Sequence, residues 1–158
     1  ELPPKPKTFL LPWSMYDDQE VLGRIVNWTI KEAMGPMDSI KILISGELQG
    51  EESLEGEVAL LFGNDRFNAE RDQLHQQYPN LVSMIEQSGL EQVPFQVEVR
   101  RGETLGWSMR SEFQWPHVNE QLMVVVPSHF QQRWPQNTFE SFILRAAPCP
   151  VVEFPVQP

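Results

Sequence analysis

The chain has 158 residues, of which 41% are apolar, and 12 Lys and Arg stand against 22 Asp and Glu for a formal net charge of −10. That length and apolar content suffice for one domain with its own core. The acidic balance speaks against direct binding of nucleic acid or of an anionic membrane surface, because both need a cationic face.

The opening ELPPKPKTFLLP carries prolines at positions 3, 4, 6 and 12. Proline fixes φ and lacks an amide donor, so residues 1–12 are expected as an extended arm. Phe9, Leu10 and Leu11 dock the end of that arm onto a globular body at 13–147. The clearest helix follows, where Val21, Leu22, Ile25, Val26, Thr29 and Ala33 recur at helical spacing. Asp17, Asp18 and Glu20 suit its start, and Gly35-Pro36 stops it.

Ile40, Ile42 and Ile44 alternate with Lys41 and Ser45 as in a half-buried strand. EVALLFG at 57–63 reads as a second short strand, and the two are expected to form a hairpin. Phe67, Leu74, Tyr78, Leu81, Val82 and Ile85 then make one apolar helical face. Pro79 either kinks this helix or opens a second one, and Gly89-Leu90 matches a left-handed cap.

PFQVEVRRGETLGWSMRSEF has the pattern of a hairpin. Phe95, Val97 and Val99 alternate on one arm, Leu105, Trp107, Met109 and Phe113 on the other, and Gly102-Glu103 supplies the turn. LMVVV at 122–126 shows no alternation and is expected to be a strand covered on both faces. Ser128 to Gln131 resembles a capping box opening one helical turn, ended by Pro135. Phe139, Phe142, Ile143 and Ala146 favour a helix over a strand. In the tail APCPVVEFPVQP, four prolines forbid a helix, while the alternation of Val152, Phe154 and Val156 fits an edge strand or an extended docking segment. Together these elements predict an α+β domain with a mainly antiparallel sheet of about five strands and helices on one side. Proline-rich arms extend from it at 1–12 and 148–158.

Motifs that carry chemistry are scarce. His75, His117 and His129 lie far apart, and the one cysteine, Cys149, has no second thiol, so neither a metal site nor a disulfide is expected. Ser128-His129 is explained by capping, and adjacent residues on one turn do not face each other. The glycines at 46, 50 and 63 follow strands, but no Lys-Ser/Thr continues them into a phosphate loop and no GxGxxG occurs. No catalytic residue and no cofactor is therefore assigned.

The aromatics say more. Trp13, Trp107, Trp115 and Trp134, with Phe130, fall in or beside loops and arms, and Val152 and Phe154 lie on the tail. Large rigid rings are enriched at binding hot spots. The expectation is a noncatalytic interaction domain or complex subunit that contacts another protein, or another domain of the same polypeptide, through Trp13, Trp115, Phe130, Trp134, Val152 and Phe154. Two alternatives are a small hydrolase using His117 or His129 with a carboxylate, and an acidic nucleic-acid mimic displaying Glu47, Glu51, Glu52, Glu55 and Glu57. No apolar run approaches the roughly 20 residues of a membrane span, so no membrane insertion is expected. The lone thiol suits the cytoplasm, although a chain that starts at Glu1 is also compatible with a removed signal peptide.

Overall fold

The computed structural model describes residues 5–14, 18–46, 59–101, 104–114, 121–128 and 138–155. Six strands form one sheet: β1 (Lys7–Ser14), β2 (Ser39–Gly46), β3 (Ala59–Gly63), β4 (Phe95–Arg101), β5 (Gln121–Pro127) and β6 (Val151–Phe154). Their order is β3-β4-β2-β1-β5-β6, and every adjacent pair is parallel except β3 with β4. Among the described residues, five α-helices accompany them: α1 (Gln19–Trp28), α2 (Asn64–Gln77), α3 (Pro79–Ser88), α4 (Leu105–Gln114) and α5 (Phe139–Arg145). This is a single α/β domain, which overturns the expected α+β fold with its mainly antiparallel sheet and one-sided helices.

The topology has a simple logic. From β1 the chain moves through α1 to β2 and on to β4, with α1, α2 and α3 packed on one face. It then returns across β1 to β5 and β6, with α4 and α5 on the other face. Strand–helix–strand crossovers keep one hand, so reversing direction along the sheet transfers the helices to the opposite face. The first core joins Phe9, Leu11, Trp13 and the three isoleucines of β2 to Leu22, Ile25 and Ile85 of the helices. The second joins Leu10, Leu43, Val124 and Val126 to Met109 and Leu144.

Several local expectations hold. Asp18 caps α1 by accepting from the Glu20 amide at 2.9 Å. Beyond Trp28 the helix widens into a π-helical turn, Thr29–Ala33, where the Thr29 hydroxyl donates back to the Ile25 carbonyl at 2.8 Å. Pro79 opens α3, and Gly89 ends it at φ 81°. β5 is a buried strand, α5 is a helix capped by Thr138, and the tail supplies β6 as an edge strand.

Both expected hairpins are absent. β2 and β3 are separated in the sheet by β4, which pairs with each of them. The second hairpin ends after its first arm: β4 is a strand, but Leu105–Gln114 is helix α4. Its buried residues include Leu105, Ser108, Met109 and Glu112, which follow helical spacing. Gly106, Ser108 and Glu112 disguise that face by being small or polar, whereas Trp107, read as an inward residue, points out.

The first arm is also reassigned. Residues 7–12 belong to β1, the strand between β2 and β5. A proline within a central strand is unusual, and alternation explains Pro12. Backbone groups of successive strand residues point to opposite neighbours. The Gln121 amide donates to the Pro6 carbonyl at 2.9 Å, while the Lys7 amide donates to Asp38 Oδ1, beside β2, at 2.8 Å. Even-numbered residues of β1 thus address β5, and the amide that Pro12 lacks is one that β5 would have received. The β1–β5 register indeed stops at Leu10↔Val124, although β1 runs on to Ser14 and β5 to Pro127.

The sheet edges are guarded. On β3, Arg66 Nη1 donates to the outer strand's Leu61 carbonyl at 2.9 Å. β6 has only four residues, set between Pro150 and Pro155. Because Val151 and Val152 of β6 join opposite cores, deleting 148–158 is expected to cost about 2–4 kcal/mol, judged from roughly 1.5–3 kcal/mol for each fully buried valine. Urea unfolding of the truncated chain checks this; an unchanged midpoint would contradict the packing role of β6.

Candidate functional site

In an open α/β sheet the natural place for a ligand is the crevice at the carboxyl ends of the strands where the winding reverses. Here it lies between β1 and β5, opened by the end of their ladder. Its described rim comprises Ser14, Asp18, Gln19, Pro127 and Ser128. The Asp18 carboxylate already occupies the start of α1, and Glu20 lies in the first turn, so the rim opposes phosphate at the one nearby helix N-terminus. The Ser128 amide is spent on the Phe154 carbonyl at 2.8 Å. The sequence from Pro127 to Thr138 contains no glycine that would let backbone amides wrap an anion.

A second polar concentration lies on the α4 face of β2 and β4. Lys41 Nζ stands 2.9 Å from Glu112 and 3.3 Å from Glu98, while Arg100 stands 3.3 Å from Glu98 and 3.6 Å from Glu112. Two cations and two carboxylates thus alternate in a quartet among the described residues. It borders a groove of about 350 Å³ that Thr8, Ser39, Asn64 and Gln96 also line. Asn64 is committed there, donating to the Val93 carbonyl and accepting from the Phe95 amide. The charges balance among themselves, so the quartet serves as a polar cover for β4. Lys41→Met is expected to cost about 2–4 kcal/mol, below the roughly 3–5 kcal/mol of a fully buried pair because water reaches these side chains. Adding Glu112→Leu to Lys41→Met should recover part of that loss in a urea titration.

Of the six residues expected to bind a partner, Trp13, Val152 and Phe154 are described. Trp13 is 1% exposed and belongs to the core, so it offers nothing to a partner. Trp115, Phe130 and Trp134 lie outside the described residues, as do His117, His129, the turn expected at 129–135 and the five glutamates from 47 to 57. Val152 and Phe154 are half-buried, and the Phe154 ring packs 5.5 Å from that of Trp28. That pair closes one end of an open groove of about 510 Å³ beside α1, lined largely by polar side chains such as Arg24, Lys31 and Gln87. Cys149 is half-buried beside the second core, and burial pushes its thiol above the ordinary range, which keeps it protonated and unreactive at neutral pH.

What the sequence pattern missed is an aromatic ridge on α4 and α5. Trp107 is 53% exposed, Phe139 37% and Phe142 60%. The Trp107 and Phe139 rings meet at 5.3 Å, and the Arg110 guanidinium lies 5.1 Å from the Trp107 ring centroid. Gly106 makes this close approach of the helices possible: a Cβ there would stand 2.4 Å from Phe139 Cδ1. The signal was present in the spacing, because Trp107 and Arg110 share one helical face while Leu105 and Met109 hold the other.

Among the described residues, no group of three His, Cys, Asp or Glu side chains is placed to hold a metal ion, and no helix is long and apolar enough to cross a membrane. Comparison with protein-family models and with curated proteins finds no match to this chain. What the geometry defines is a doubly wound α/β domain with an aromatic helical surface.

Replacing Gly106 by alanine should reveal how tightly that surface is built. Alanine in a helix interior normally gains up to about 1 kcal/mol over glycine. Here the methyl must displace a ring, and overpacking of this kind costs about 1–3 kcal/mol. Gly106→Ala is therefore expected to lower the thermal midpoint, and a raised midpoint would count against the α4–α5 contact.

Proposed function

We propose that this is a noncatalytic protein-interaction domain whose contact surface is the ridge of Trp107, Phe139 and Phe142 with Arg110. One observation carries the reading: three large rings are exposed on adjacent helices, two of them in contact, where isolated exposed apolar residues would need no explanation. Trp and Arg dominate interface hot spots because they bury large area from rigid or pre-organised groups. The rings are held by core packing beneath them, through Leu105, Met109, Ile143 and Leu144, so little order has to be gained on binding. The partner is another protein or another domain of the same polypeptide, met in the cytoplasm, where an isolated thiol stays reduced. This moves the interface from the terminal segments, which are spent on the sheet, to the helices.

The test compares the wild-type chain with Trp107→Ser/Phe142→Ser as bait in co-purification from the native source. Phe142 projects into water while Trp107 also packs on Phe139, so a modest fall in the thermal midpoint is expected, and the variant is used well below that midpoint, where it is folded. Loss of each hot-spot ring is worth 2 kcal/mol or more, roughly 30-fold in affinity. Partners retained by the wild type should disappear with the folded double variant. Equal retention by both chains would reject the ridge as the interface.

A further inference from the structure

Resting on that reading, we infer that the ridge receives an acidic segment of a partner protein, with an apolar anchor packed on its exposed aromatic rings. The assignment comes from the sign of charge around the rings. α4 and α5 both cross the same face of the sheet and touch along their length, so their outward positions form one surface. On α4 these positions carry Trp107, Arg110 and Gln114, and on α5 they carry Phe139, Phe142 and Arg145, all exposed. Among the described residues, the exposed charged side chains at these positions are Arg110 and Arg145, in a chain whose net charge is −10. Glu140, the one carboxylate on α5, is only half-exposed.

Arg110 is anchored by its ring contact with Trp107 and forms no ion pair among the described residues. Stacking uses the face of a guanidinium and leaves its edge donors directed outward, where a carboxylate is bound by two parallel hydrogen bonds. Arg145 Nε reaches back to the Ser141 carbonyl at 3.4 Å, which lays that side chain along the helix on the same surface. The Trp107 and Phe139 rings touch, and Phe142 follows Phe139 by three residues on the same helix, so the exposed parts of these rings offer apolar area to a leucine or phenylalanine of the partner.

Other occupants fit less well. A second copy placed ridge to ridge would oppose arginine to arginine and bring two chains of −10 together. A nucleic acid or an anionic bilayer presents a long array of phosphates that two guanidiniums do not neutralise, whereas a short acidic segment needs only a few such contacts.

Fluorescence anisotropy with two labelled peptides tests this. One has the core Glu-Glu-Leu-Phe-Glu-Glu, the other the same core with Gln for each Glu. The acidic peptide should bind at least about tenfold more tightly at low salt, the advantage shrinking as salt rises. Arg110→Glu should abolish that preference, and Trp107→Ser should remove binding of both peptides, each variant being used well below its thermal midpoint. Equal binding of the two peptides in a Trp107-dependent manner would overturn the acidic assignment while leaving the ridge as an interface. Binding of neither peptide would overturn the acidic-anchor inference, and co-purification would still judge the ridge on its own. Sedimentation showing a dimer that Trp107→Ser dissolves would also overturn it, by giving the ridge to a second copy.

Discussion

Everything in this fold is referred to β1. It is the strand from which the sheet grows in both directions, and it supplies side chains to both cores, Phe9, Leu11 and Trp13 to one and Leu10 to the other. One strand can do this because its alternate residues are nearly all large and apolar, which suits burial on both faces. Its start is tied down by Asp38, whose two carboxylate oxygens accept from the Lys7 and Gly35 amides, so the strand and the turn before β2 are fixed by one side chain. Pro12 then limits what β1 can do. It leaves the β2 ladder intact and ends the β5 ladder early.

That division separates the places where chemistry would be sought. The split between β1 and β5 gives the domain the crevice its topology implies, yet the described rim is acidic and its helix start is already capped. The ionic quartet is the densest set of charges described, yet its members neutralise one another. On α4 and α5, by contrast, Trp107, Phe139 and Phe142 remain exposed. Small residues help to bring this about, since Gly106 lets a phenyl ring rest on the α4 backbone and pushes the aromatic surface into one patch.

Much of the secondary structure could be read from the residues, and the sheet could not. The helix from Gln19, the second helix opened at Pro79, the left-handed Gly89 and the buried strand at 121–127 follow from periodicity, proline geometry and composition. β1 was obscured because proline counts against a strand unless one knows which neighbour its missing amide would have faced. With β1 hidden, its crossover through α1 to β2 could not be recognised, and the remaining strands looked like candidates for hairpins. α4 was obscured by a genuine conflict of periods. Leu105, Trp107 and Met109 alternate as in a strand, whereas the buried set includes Ser108 and Glu112, whose polarity conceals the helical stripe. Glu112 is buried because Lys41 and Arg100 meet it, and those partners are distant in sequence. The same conflict hid the ridge, since strand alternation puts Trp107 on one face with Leu105 and Met109 and leaves Phe139 and Phe142 without a neighbour.

The guarded edges bear on how the molecule can assemble. Strand addition is the least selective way for a sheet protein to associate, since any extended backbone supplies the complementary groups. With an arginine on the outer carbonyl of β3 and prolines at both ends of β6, that generic route is discouraged at both sides. Association is left to side chains on the helical layers, where shape and charge discriminate between partners. An acidic, sheet-rich chain can in this way display three aromatic rings to solvent and still resist indiscriminate stacking with its own copies.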